Sequence, residues 1–353
     1  MSFNLPSAVP IPNPGRTVVE RFHAQLLAGR RPRDPVAVPA RLLAVQAQDL
    51  RGAYLAIRSR SFGLSSAQVD RAFTKERSLV VTWLNRGTLH LVRSEDYPWL
   101  HGLTTPGIVS ANSRRLRQEG VTPDAAKRGV AIIERSLTGD GPLTRPEIGE
   151  RLRGSGVRVK SAALVHLLLL ASLRGLIVRG PMVRGQHAFV LVRDWLDKPK
   201  PIDRDRAIAE LARRYLAGHG PATERDLAYW SGLPLRDARA GLNAIASEIV
   251  ERAGGMVSLK GSKSSSELAP PRLLGSFDPV LFGWTSRDPI LGADAPAVVS
   301  GGLFRPFGIV GGKAVATWTF RAGKVELKPF RMLTATEAAA LKADAADVLR
   351  FLS

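Results

Sequence analysis

The stretch Leu79-Val80-Val81-Thr82-Trp83-Leu84-Asn85-Arg86-Gly87-Thr88-Leu89-His90-Leu91-Val92 decides how this chain is read. Two runs rich in β-branched and aromatic residues flank Asn85, Arg86 and Gly87, residues suited to a turn, so the pattern predicts a β-hairpin. Three helical patterns precede it, over residues 18–27, 38–45 and 66–73, the last with Ser65 or Ser66 as N-cap. Helix, helix, helix, hairpin is the order of a winged-helix unit, and the chain repeats it. After a helical stretch over 94–137, a second unit opens at Pro142-Leu143-Thr144, where Thr144 and Glu147 have capping-box spacing. Its most apolar helix spans 161–173, and residues 176–178 and 188–192 read as strands around a turn holding Arg184 and Gly185. The third unit runs through helices at 206–216, 223–230 (capped by Thr223) and 235–246, then strands at 249–252 and 256–259 around Gly254-Gly255. A Ser/Lys/Gly linker follows at 261–266. Beyond it, 272–284 and 302–330 read as a mixed β region, and 336–351 as a closing helix with Thr336 as its cap.

The expected fold class is therefore mainly α with small β-hairpins, an α+β architecture of three tandem winged helix-turn-helix units with a C-terminal mixed region. The expected divisions are 1–93, 94–199, 200–262 and 263–353. At 353 residues and 44% hydrophobic content, the chain has enough apolar surface for more than one core. It contains no cysteine, which excludes disulfides, a Cys-ligated zinc, an iron–sulfur cluster and a thiol nucleophile. Residues 1–15 alternate proline with small residues and do not resemble a signal peptide, and the apolar run at 162–173 is too short to span a bilayer. A cytoplasmic protein is expected, with no membrane partner.

Against 31 acidic residues stand 51 Lys and Arg, a formal net charge of +20. Such an excess points to a polyanion, bound through phosphate neutralisation and counterion release. Winged-helix units place a helix in a groove and a hairpin against the backbone, so duplex DNA is the expected partner. Catalytic apparatus of the familiar kinds is scarce. The six histidines, at positions 23, 90, 101, 166, 187 and 219, form no HExxH pattern, and His166 and His187 read as core or strand residues. Neither a P-loop nor a GxSxG elbow is present. No metal and no cofactor are expected.

What stands out is Gln46-Ala47-Gln48, followed by Asp49, at the end of the second helical pattern. Two glutamines so spaced cannot share a face of a continuing helix, but they can converge if the backbone leaves helical geometry; the alternative is a plain polar helix terminus. This segment resembles the signature of winged-helix DNA glycosylases of the AlkZ type, which carry Gln, a small or apolar residue, then Gln. The stretch from Thr82 to Val92 looks like that family's Trp, then Arg-Gly-Thr-Leu-His motif. The stretch Leu274-Gly275-Ser276-Phe277-Asp278-Pro279-Val280-Leu281-Phe282-Gly283-Trp284, with Arg287 beyond, looks like its C-terminal Phe-Asp motif and downstream Arg. Gln at position 48, rather than Asp, is similar to the antibiotic self-resistance branch.

The resemblance implies a C-shaped molecule with a basic concave surface. It also implies hydrolysis of the N-glycosidic bond of bulky N7-alkylated purines, as adducts or interstrand crosslinks of a genotoxic natural product. Gln46 and Gln48 would position the water and stabilise the developing charge. Arg58, Arg86, Arg93, Arg114, Arg115 and Arg117 are the candidate phosphate contacts. His90 either packs in its strand or lines the site, and Arg287 either contacts DNA or forms a structural ion pair with Asp278. An aromatic content of 6% suits an open groove better than a stacking pocket for a flipped base. A monomeric, monofunctional enzyme is expected. The competing reading is a non-catalytic winged-helix transcriptional regulator.

Overall fold

A computed structural model describes residues 15–157, 159–197, 202–262 and 266–353. The expectations for residues 1–14, for the boundary at 199 and for the 263–265 part of the linker lie outside these. The chain divides into two compact units. One comprises Met1–Val69, Ala209–Trp230 and Pro234–Ser353; the other comprises Asp70–Ile208 with Ser231–Leu233.

In the Asp70–Ile208 unit the expected hairpin forms from Leu79–Leu84 and Thr88–Arg93, with Leu84 paired to Thr88 and Leu79 to Arg93. Asn85 and Gly87 both take positive φ, +50° and +82°, in the turn between them. Asn and Gly are the residues that enter the left-handed region at least cost, which is why this sequence turns here. Within the unit the antiparallel order continues from Thr88–Arg93 through Leu79–Leu84, Ile177–Val183 and Gln186–Leu191 to Leu143–Thr144. The stretch at 94–137 resolves into three helices, Tyr97–Thr104, Pro106–Gln118 and Pro123–Asp140, each with proline in its first turn. Thr144 and Glu147 form the expected capping box. The helix Ser161–Leu173 buries nine of its 13 residues. Such a helix, apolar on all sides, belongs in a core. Trp83 stacks on Phe189 at 6.2 Å in the same core.

In the other unit the helices Arg16–Ala24 and Ala37–Leu42 are shorter than the apolar patterns that announced them. A helix not read from the sequence, Leu50–Arg60, follows. Glu224–Ser231 and Leu235–Ala244 precede the hairpin Ile249–Arg252/Met256–Leu259, with positive φ at Gly254 and Gly255 in its turn. The C-terminal region is a four-stranded antiparallel sheet in the order Lys324–Pro329, Lys313–Arg321, Phe307–Val310, Arg272–Leu274. The closing helix is Ala335–Leu352, and its cap is Thr334 rather than Thr336. Thr334 Oγ1 accepts from the Glu337 amide at 3.2 Å, and the Glu337 carboxylate accepts from the Thr334 amide at 2.9 Å. Thr334 has the spacing to Glu337 that a capping box requires, which Thr336 lacks.

Each unit buries one neutral histidine. His219 lies face to face with Tyr215 at 4.9 Å and donates from Nδ1 to the Tyr215 carbonyl at 3.2 Å; His90 donates from Nδ1 to the Thr88 carbonyl at 2.9 Å. Burial pushes both down to about 3. In the unfolded chain each takes up a proton below about 6.5. Their contribution is therefore fully present above pH 6.5 and is lost as the pH falls towards 3, at ~1.4 kcal/mol per pH unit for each. Calorimetry between pH 7.5 and 5 should show the melting temperature falling with acidity, and His219→Gln should flatten that fall. An unchanged melting temperature over this range would refute the assignment.

Candidate active site

The helix Ala37–Leu42 stops because Leu43 takes φ +65°, a conformation that helix cannot continue through. The chain then runs extended through Val45–Gln46, both buried. Gln46 is therefore not on a helix terminus, and the departure from helical geometry is what the spacing of the pair requires. Gln46 is 6% exposed, and its Oε1 accepts no hydrogen bond from any described residue. A buried acceptor left unsatisfied costs about 1–3 kcal/mol, so it is a position prepared for a donor. Gln48, two residues on, is exposed.

Asp49 then caps the helix Leu50–Arg60. Its backbone is extended at φ −113° and ψ 113°, and Oδ1 accepts from the Arg51 amide at 3.0 Å. The other carboxylate oxygen accepts from the Ser276 hydroxyl. The backbone of Ser276 lies against the first turn of this helix: a Cβ on Gly52 would stand 2.3 Å from the Ser276 carbonyl oxygen, and one on Gly275 would stand 2.9 Å from Gly52 Cα. Only two glycines permit that approach. Phe277 takes φ +56° and packs against Phe282 and Phe304 at 6.2 and 5.1 Å.

Asp278, expected to pair with Arg287, pairs instead with Arg60. The contacts are bidentate, 2.6 and 2.8 Å, and both side chains are 0% exposed; Gln25 Oε1 accepts from the same guanidinium at 2.9 Å. Arg287 donates to the Leu281 carbonyl at 2.7 Å and to the Tyr229 hydroxyl at 2.9 Å, and lies over Phe282 and Phe304. It is a half-buried brace of that loop, satisfied without Asp278.

Arg58 was expected on phosphate, and the structure contradicts this. At 2% exposure it donates to Asp344 at 2.9 Å, to Asp347 at 3.2 Å and to the Leu273 carbonyl at 2.6 Å, tying the closing helix to Leu50–Arg60. Burial opposes ionisation of Asp344, but the Arg58 and Arg272 guanidiniums and the Leu273 amide outweigh it and hold the carboxyl below its usual range. Arg93 is half-buried on Asp96 at 2.7 Å and on Glu95. Arg115 is partly exposed and pairs with Glu119 at 2.7 Å. Arg114 and Arg117 are exposed on the helix Pro106–Gln118, and Arg86 is half-buried in the hairpin turn. His90, at 4% exposure, is packed within its strand. His166 bonds Asn112 at 2.9 Å, and His187 meets the edge of Phe73. Among the described residues no group of three His, Asp or Glu is placed to hold a metal ion, and no helix is long and apolar enough to cross a membrane.

An unpartnered buried amide oxygen beside an exposed amide, at the mouth of a capped helix, suits a reaction that needs a water oriented rather than a strong base. The family described as DNA glycosylase AlkZ-like matches residues 40–351, and the chain belongs to it: it is a DNA glycosylase. The chain is 30% identical over 359 residues to the Interstrand DNA cross-link repair glycosylase of Streptomyces sahachiroi, covering 94% of each protein. The solved structure of Streptomyces sahachiroi DNA glycosylase AlkZ matches with a TM-score of 0.76 at 26% identity, over 95% of this chain and 96% of that one. The mixed α and β architecture is that of the solved structure, and the reading as a regulator without chemistry is set aside.

Proposed function

We propose that this glycosylase hydrolyses the N-glycosidic bond of bulky N7-alkylated purines, as adducts or interstrand crosslinks left by a genotoxic natural product, and so protects DNA from it. The relative of 30% identity is named for repair of interstrand crosslinks. The observation that carries the chemistry is the pair itself, a buried Gln46 Oε1 awaiting a donor and an exposed Gln48 beside it. An N7-alkylguanine is already cationic, so the base departs with the C1′–N9 electron pair without being protonated first. The sugar becomes oxocarbenium-like, a water oxygen bonds C1′, and the proton passes to solvent. A neutral amide cannot serve as a strong base at pH 7, but it can accept from that water and direct its carbonyl dipole at the cationic sugar.

The enzyme acts as a monomer and without cofactor. It is built of three tandem winged-helix units, divided at 93, 199 and 262, and Arg114, Arg117, Arg86 and Arg115 contact phosphate. It is monofunctional: the chemistry ends at an abasic site. The test is an end-labelled duplex bearing N7-methylguanine or a bulky N7-guanine adduct, incubated with the enzyme and then treated with alkali. Breaks at the lesion that appear only after alkali are expected. Breaks before alkali would overturn the monofunctional assignment, and no breaks on any adduct would overturn the substrate.

A further inference from the structure

Arg58 and Arg60 are buried against carboxylates; Arg179, in the Asp70–Ile208 unit, is not. The register of the sheet puts it where it is. Within Ile177–Val183 it stands opposite Val81 on one side and Phe189 on the other. Residues directly opposite in a ladder share a face, and Trp83, two residues from Val81, lies on that face as well. The Arg179 guanidinium accordingly lies over Phe189 at 4.8 Å and over Trp83 at 5.7 Å, two rings that stack with their planes 8° apart. Just beyond, the register shifts before Met182, at Gly180, where a Cβ would stand 2.5 Å from Val190 Cγ1. Glycine permits that close approach, and the irregularity ends the pairing next to Arg179.

A cation drawn out of water is normally compensated by a carboxylate and by hydrogen-bond acceptors. Among the described residues Arg179 has neither. Its Nε is buried and donates to nothing. Burial, and then the like charge of Arg145, lower its pKa to about 10. His187 stands in the same field: burial and the Arg179 charge hold its imidazole below the usual histidine range, against a smaller opposing pull from Asp70, and its Nε2 is also buried without a partner. We propose that Arg179, with Arg145 beside it, is an oxyanion site that takes one backbone phosphate of the DNA. A guanidinium edge matches two phosphate oxygens, and a plane already fixed on two rings has little freedom left to lose on binding. A phosphodiester is the anion that the substrate of a DNA glycosylase brings, and a chain with a net charge of +20 draws it in. Because Arg179 is already partly dehydrated, its contact with phosphate is stronger than one made by an exposed arginine such as Arg114.

The experiment measures the Kd of the parent, Arg179→Met and Arg179→Lys for an undamaged duplex over about 50–300 mM sodium chloride, together with their melting temperatures. An undamaged duplex suffices, so the result does not depend on which lesion is excised. Arg179→Met should bind about tenfold more weakly, and the slope of log affinity against log salt should become shallower by about 0.9, the loss of one phosphate contact. Arg179→Lys keeps the charge without the fork, so it should keep the slope and bind between the two. Methionine retains an apolar stem over Trp83 and Phe189 and strands no carboxylate, so the melting temperature of Arg179→Met should equal or exceed that of the parent. An unchanged slope overturns the site, and so does a melting temperature lower by more than about 5 °C, which would make Arg179 a structural brace. Sodium phosphate, compared with sodium chloride at equal ionic strength and without DNA, separates the two sources of the anion. If it stabilises the parent but not Arg179→Met while the DNA slope is unchanged, the site serves free phosphate and the DNA assignment is overturned; a shallower slope supports the DNA assignment whether or not free phosphate also binds.

Discussion

Gln46→Ala and Gln48→Ala should each bind DNA as tightly as the parent and excise the alkylated base about 10²–10³-fold more slowly. That is the usual loss when one preorganised dipole is removed from a site of developing charge. Gln46 Oε1 is already dehydrated in the folded protein, so its hydrogen bond to a reacting water needs no further desolvation at the moment of reaction. Gln48 is exposed to solvent. Neither replacement removes a charge, so the phosphate contacts that supply most of the affinity are untouched. Single-turnover excision and fluorescence anisotropy on one duplex separate the two effects. A variant that excises at the parental rate would strip its residue of any part in the chemistry, and a variant that loses binding in proportion would make the residue a DNA contact instead.

The second large effect concerns stability. Asp278→Ala leaves the Arg60 guanidinium charged in a place with no access to water, the case in which breaking a buried pair costs about 3–5 kcal/mol. Against a total stability of about 5–15 kcal/mol, this should lower the melting temperature by on the order of 10 °C. Replacing both partners, as Arg60→Met with Asp278→Leu, removes the stranded charge and should recover much of the loss, although Gln25 then gives up its bond to Arg60. An Asp278→Ala protein with the parental melting temperature would mean that the pair contributes nothing net. If the double variant proved worse than the single, the ion pair itself, rather than relief of a stranded charge, would govern the site.

Local grammar explains what the sequence disclosed. Asn85 with Gly87, and Gly254 with Gly255, announce their hairpins because their turns demand positive φ, and Ser161–Leu173 announces itself by uninterrupted apolarity. The helix Leu50–Arg60 left no such trace. It buries nine of 11 residues, and among them are Arg58, Ser59 and Arg60, so it shows no apolar stripe against a polar face. Those arginines are neutralised by Asp344 and Asp278, at separations of 286 and 218 residues, and nothing local distinguishes them from arginines that reach for phosphate. Arg58 was misread for that reason. The glutamine pair was legible as a motif; the Ser276 contact to Asp49 and the Arg60–Asp278 pair at the far end of the following helix became visible only once the chain had folded.

The double fastening of residues 275–278 to the Leu50–Arg60 helix also sets when during synthesis that helix can acquire its long-range ties. The ties span 227 and 218 residues of chain. At about 5–20 residues per second, a ribosome that has made the Leu50–Arg60 helix needs roughly 10 s or more to deliver the serine and aspartate that fasten its two ends. Fragments ending before residue 276 carry Gln46 and Gln48 but neither tie to the helix that follows them.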